Sequence, residues 1–167
     1  ELPSPENTPR SLILSGRFGE AEYLLLHNFH PDEKSFHDME MIARSLADQG
    51  EYDRALGWCD RILAQDPLRP AAYHLRAVIQ QERGDLQSAI QSLRQTLYAD
   101  PDYIPGHLML GMILGTQGRP TESRRHYETV LRILSSVSDD TALDETDGIP
   151  AGHIRQMVSV LLEGGRA

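Results

Sequence analysis

At 167 residues the chain is long enough for one compact unit or one repeat array with a continuous core, and short for two unrelated domains. Hydrophobic residues at 40% and charged residues at 25% are globular proportions, which exclude wholesale disorder and collagen-like order. Sixteen Lys and Arg against 25 Asp and Glu give a net charge of −9, the wrong sign for gripping a nucleic-acid backbone or an anionic membrane.

Residues 1–8 (ELPSPENT) are polar and proline-rich and lack the charged and apolar regions of a signal peptide, so they are expected to be the end of a linker from something longer. Helices are then expected at roughly 10–15, 18–29, 35–49, 52–65, 70–83, 86–99, 104–117 and 120–137. A repeat underlies them. Gly16, Gly50, Gly84 and Gly118 recur every 34 residues, and the small residues Ala21, Ala55, Ala89 and Ser123 follow each glycine by five. Asp66-Pro67 and Asp100-Pro101 carry the same period. Between these marks Tyr52, Ala55, Leu56, Cys59, Ile62 and Leu63 form the i, i+3, i+4, i+7 stripe of an amphipathic helix, and Leu86, Ala89, Ile90, Leu93 and Leu97 repeat it. The glycine ends one helix and the proline stops the next, so each unit is a pair of helices.

Residues 138–147 (SDDTALDETD) carry five acids, whose mutual repulsion predicts an exposed loop, placed here at 138–150. Residues 151–167 then resume a helical stripe with Ile154, Met157, Val158, Leu161 and Leu162, the pattern of a helix that caps the last repeat, followed by a short tail. The longest apolar run, residues 108–115, is far below the roughly 20 residues of a membrane-spanning helix. The single cysteine, Cys59, lies on the apolar stripe; it excludes an internal disulfide framework or a four-thiolate metal site and fits a reducing, cytoplasmic compartment.

The 34-residue unit resembles the tetratricopeptide repeat. His107, Leu110, Gly111, Leu114, Ser123 and Tyr127 fill the motif's places in the last full unit, and Met39, Ile42, Ala43, Leu46, Ala55, Cys59 and Pro67 fill them in the first. The middle unit keeps Tyr73, Ala77, Ala89, Leu93 and Pro101 but has Arg76 and Gln80 where apolar residues are usual. The resemblance implies an all-α, right-handed superhelical array over residues 9–137, with a partial repeat at 9–33, full repeats at about 36–69, 70–103 and 104–137, and a C-terminal capping helix. It also implies a concave groove lined by the first helix of each pair. Its lining would be His37, Glu40, Arg44, Ala47 and Asp48, then His74, Val78, Gln81 and Glu82, then Leu108, Met112 and Thr116. The Lys and Asn clamp with which chaperone-adaptor members hold a terminal carboxylate is missing, since Glu40, Arg44, His74 and Val78 stand there. A partner of apolar and some basic character is expected, with Leu108 and Met112 as anchors.

Residues 43–50, 63–73 and 97–107, a long helix, an acidic gap and the DG-x-x-AG-x-x-R element of residues 147–155 together resemble the C-terminal repeat region of CheR-type chemoreceptor methyltransferases. That resemblance implies a non-catalytic regulatory tail whose partner is a protein or peptide segment: the chemoreceptor, the parent's own catalytic domain or another signalling protein. The parent would be a protein-glutamate O-methyltransferase, and S-adenosylmethionine would be held by a catalytic domain upstream. No cofactor, metal or catalytic residue is expected in this chain. A free-standing tetratricopeptide adaptor is the alternative. A small metal-binding or hydrolytic protein is a further one, suggested by His27, His30 and His37, although no Cys-x-x-Cys or HExxH spacing accompanies them.

Overall fold

The computed structural model describes residues 8–28 and 32–164. The expected linker, apart from Thr8, lies outside the described residues, as do His30 and the last three positions of the tail. In chain order the helices are α1 (Pro9–Leu14), α2 (Phe18–His27), α3 (Glu33–Asp48), α4 (Tyr52–Gln65), α5 (Pro70–Glu82), α6 (Leu86–Ala99), α7 (Ile104–Thr116), α8 (Pro120–Leu134) and α9 (Ala151–Gly164). The chain is an all-α helical repeat array, and its helix limits lie within a few residues of those expected from periodicity.

The repeated glycines explain the helix ends. Gly16, Gly50, Gly84 and Gly118 have φ of 75°, 77°, 89° and 72°, a left-handed conformation that a Cβ disfavours. At each, the glycine N–H and the next N–H donate back into the last helical turn: Gly50 to Ala47 at 2.8 Å and Glu51 to Leu46 at 2.9 Å, for example. This is the Schellman closure, and at Gly16, Gly50 and Gly118 it turns the chain sharply enough for the next helix to fold back, α2 on α1, α4 on α3 and α8 on α7.

The chain forms two compact units that divide between Asp85 and Leu86. In the first, α1 to α5 enclose a core that includes Ile42, Leu46, Ala55, Cys59, Ile62 and Ile79, each 1% exposed or less. Cys59 is one of these packed hydrophobes, and burial pushes its thiol up to about 12, which leaves it without thiolate character at neutral pH. Arg76, unusual in its place, keeps its charge paired: it meets Asp60 at 3.1 Å and lies over the Tyr73 ring at 5.1 Å. In the second unit Ile104, Val130, Leu134, Ala151, Ile154 and Val158 unite α7, α8 and α9. Gly111 lets α8 approach α7, since a Cβ there would stand 2.7 Å from Tyr127 Cε1. The Ser123 hydroxyl seals the contact by donating to the Gly111 carbonyl at 2.6 Å.

The acidic segment contains a small antiparallel ladder of β1 (Ala142–Leu143) and β2 (Ile149–Pro150). A left-handed pair, Asp147 (φ 56°) and Gly148 (φ 78°), turns it. Among the described residues no helix is long and apolar enough to cross a membrane.

Candidate partner-binding site

In the first unit, the spacing of His37, Glu40, Arg44 and Asp48 sets all four along one side of α3. His37, Arg44 and Asp48 are exposed and Glu40 is half-buried, whereas Ala47 is 3% exposed and packs in the core instead of lining a surface. Across from them α5 carries His74, Val78 and Gln81, all half-buried, and the exposed Glu82. The two helices pack, and Arg44 Nη1 lies 3.9 Å from Glu82 Oε1.

Arg69, just ahead of α5, ties the same side together. Its Nε donates to Glu40 at 2.7 Å, its Nη groups donate to both Glu33 oxygens at 3.0 Å, and its guanidinium lies 4.7 Å from the centre of the Phe36 ring. Burial disfavours the Arg69 charge, but its hydrogen bonds to these two carboxylates outweigh it and raise the group above its ordinary value. Burial, aided by the Arg44 charge, lowers His74 to about 4, so its ring is neutral at neutral pH. Glu33, Glu40, Asp48 and Glu82 outnumber Arg44 and Arg69, which makes this side a polar surface of net negative sign.

In the second unit the lining changes character. Of the 13 residues of α7 only His107 and Thr116 have polar side chains. Leu108 is half-buried against the cluster that holds α9, and Met112 is 47% exposed. Met112 and Thr116 line a cleft of about 620 Å³ together with Arg124 and Tyr127 of α8 and Leu161 and Leu162 of α9. That volume falls within the range of small-ligand and side-chain pockets. Arg124 donates to Glu128 at 2.8 Å and to the Leu162 carbonyl at 3.4 Å, so it joins α8 to the last turn of α9 beside an open cleft.

The cleft was not evident from the repeat register, because it depends on where α9 lies. The residues of the DG-x-x-AG-x-x-R element set that position. Asp147 and Gly148 make the turn of the ladder, and a Cβ on Gly152 would stand 2.9 Å from Asp139 Cβ. Arg155 donates to the carbonyls of Leu134 and Val137 at the end of α8 and to the Asp139 carboxylate. The element is thus a lock that holds α9 on α8.

Of the other histidines, His27, His107 and His126 are engaged within the fold. His27 Nδ1 bonds the Tyr23 carbonyl at 2.8 Å and its ring stacks on Tyr23, while His37 is exposed on α3. Among the described residues no three His, Cys, Asp or Glu side chains gather as a metal site. His107 Nε2 donates to the Pro101 carbonyl at 2.8 Å, and its Nδ1 shares a hydrogen bond of 2.9 Å with Nδ1 of His126.

Two tetratricopeptide repeat profiles match consecutive stretches, residues 40–104 and 105–129, over half of the chain between them. The chain belongs to the tetratricopeptide repeat family. The probable biofilm formation methyltransferase WspC of Pseudomonas putida is 30% identical over 103 residues, covering 62% of this chain and 24% of WspC. The tetratricopeptide chain thus spans about a quarter of that curated relative. Among solved structures, the Yersinia enterocolitica type III secretion chaperone SycD, in complex with a peptide of the translocator YopD, superposes with a TM-score of 0.65 at 13% identity; the match covers 83% of this chain and 97% of that one. MamA of Desulfovibrio magneticus RS-1 gives 0.62 at 20% identity over 78% and 74%. The first repeat domain of Spaghetti (RPAP3), bound to an HSP90 peptide, gives 0.56 at 18% identity over 81% and 98%. These likenesses establish the tetratricopeptide fold.

Proposed function

We propose that this chain is the partner-binding region of an S-adenosylmethionine-dependent protein-glutamate methyltransferase, and that it positions or regulates methylation of a chemoreceptor-type protein in signal transduction. The supporting observation is the 30% identity to WspC over 103 residues, a stretch longer than the two matched repeat profiles together. Methyl transfer and its cofactor belong, on this reading, to a catalytic domain outside residues 1–167. The single, buried cysteine suits a reducing cytoplasm. The bound segment is a protein or peptide, as in the SycD and Spaghetti structures. The first unit offers a surface of its own, His37, Glu40, Arg44 and Asp48 of α3 with His74, Val78, Gln81 and Glu82 of α5, and the second unit separately offers Leu108, Met112 and Thr116 of α7. The acid excess on α3 and α5 favours basic side chains and the apolar α7 favours hydrophobic ones. Such binding raises the effective concentration of receptor at the catalytic domain without new chemistry.

Methylation by the full-length enzyme with and without residues 9–164 tests the reading. A raised KM for the receptor, or a changed site or receptor choice, supports it; an unaltered receptor KM with unchanged site and receptor choice overturns it. A free-standing adaptor is the second reading, favoured by the 97% of the SycD chain that this one covers. The mass of the native protein in cell extract separates the two: a species near 18.7 kDa means an adaptor, and a much larger one a tail.

A further inference from the structure

Aligned from their first residues, Ile104 and Ala151, helices α7 and α9 carry apolar side chains in the same register. Leu110, Ile113 and Leu114 of α7 correspond to Met157, Val160 and Leu161 of α9. The α7 residues are 4%, 2% and 2% exposed, because α6 and α8 both pack on that helix. The α9 residues are 46%, 62% and 45% exposed. For α9 the helix α8 serves as α6 serves α7, and among the described residues no helix takes the place that α8 has on α7. The i, i+3, i+4 spacing of Met157, Val160 and Leu161 is the footprint of a docked helix. Leu161 also lines the 620 Å³ cleft beside Met112 and Tyr127, so stripe and cleft form one apolar surface.

Charge selects the occupant. The ladder leading into α9 carries Asp140, Asp144, Glu145 and Asp147, none of them paired with a cation among the described residues, and Glu163 stands at the far end of the helix. The cations nearest the surface are engaged, Arg155 by Asp139 and Arg124 by Glu128. A second copy of this chain would bring its own net charge of −9 to the same face, whereas a cationic helix meets complementary charge at both ends.

We propose that the exposed face of α9 and the adjoining cleft dock a cationic amphipathic helix of a partner protein, which completes a last hairpin on α9 and seats one large apolar side chain beside Met112. This holds whether or not the chain serves a methyltransferase.

The test uses the full 167-residue chain with methyl-labelled Met, Val and Leu and two synthetic probes, a 14-residue Leu/Lys amphipathic peptide and its Leu/Glu counterpart. The Leu/Lys peptide should shift the methyl resonances of Met112, Met157, Val160 and Leu161 first, and Val160→Asp should weaken its binding about tenfold. Far-UV circular dichroism verifies that the variant keeps its helices, and the wild-type shift map stands by itself if it does not. Equal binding of the Leu/Glu peptide, shifts confined to the first unit, or dimerisation through α9 that excludes the peptide would each overturn the proposal.

Discussion

Gly111 and Tyr127 touch so closely that the tyrosine ring occupies the space a Cβ on the glycine would need, 2.7 Å from Cε1 and 3.0 Å from Cζ. The same places in the first full repeat hold Ala43 and Cys59, a larger residue on the first helix and a smaller one on the second. Gly111→Ala should therefore destabilise the protein by about 1–3 kcal/mol, as overpacking does. Adding Tyr127→Leu should recover part of that loss. Urea denaturation of both single variants and the double measures the coupling, and simple additivity would disprove it.

At Gly50 no atom lies within 4 Å of the position a Cβ would take, so φ alone demands glycine there. Gly50→Ala should cost about 1–2 kcal/mol, the penalty of a left-handed L-residue. The D-alanine analogue, made by semisynthesis, should retain or exceed wild-type thermal stability. A loss with D-alanine equal to that with L-alanine would show that crowding is responsible.

Arg155 holds α9 in place by capping the end of α8. Arg155→Ala should cost about 1.5–3 kcal/mol, the range for hydrogen bonds to a charged group, and should speed amide exchange in α9 more than in α3. Asp139→Ala should cost less, since its side chain is 76% exposed and the carbonyl bonds survive. Equal effects would place the lock in the ion pair instead.

Stability should fall between pH 6.5 and pH 4. Burial, together with Arg44 at His74 and with His107 at His126, lowers both imidazoles from 6.5 to about 4, while Glu122 opposes the shift at His126. Between these values the unfolded chain binds more protons than the folded one, so the stabilisation is complete above pH 6.5 and is lost toward pH 4. A shift of that size corresponds to about 3 kcal/mol at His74, and to less at His126, which keeps more solvent contact. Asp38 works in the opposite direction, because burial raises its carboxyl and acid protonates it favourably in the fold. Replacing both histidines by glutamine should flatten the pH dependence of the urea midpoint; an unchanged slope would assign it elsewhere.

The helical pairs were legible because a left-handed glycine every 34 residues is a local requirement, met by the residue itself. The ends of α4 and α6 follow in the same way from Asp66-Pro67 and Asp100-Pro101. Burial around a helix was less legible. Ala47 shares a stripe with exposed residues yet packs inward, and Met157 and Leu161 read as part of a buried cap stripe yet face solvent, since the six large apolar side chains of α9 exceed what α7 and α8 cover. The role of Arg155 depends on carbonyls some 20 residues earlier, which no local pattern encodes. The ladder of Ala142 and Leu143 with Ile149 and Pro150 is two residues per strand, too short to register against the surrounding acids.

The proposed function rests on a division of labour in which these repeats bind and a separate domain catalyses. The most direct measurement is a comparison of receptor methylation kinetics for the full-length enzyme and a form lacking residues 9–164. A binding role predicts KM for the receptor raised tenfold or more, with kcat and the affinity for the methyl donor unchanged. A fall in kcat or donor affinity with KM for the receptor unaltered would contradict it.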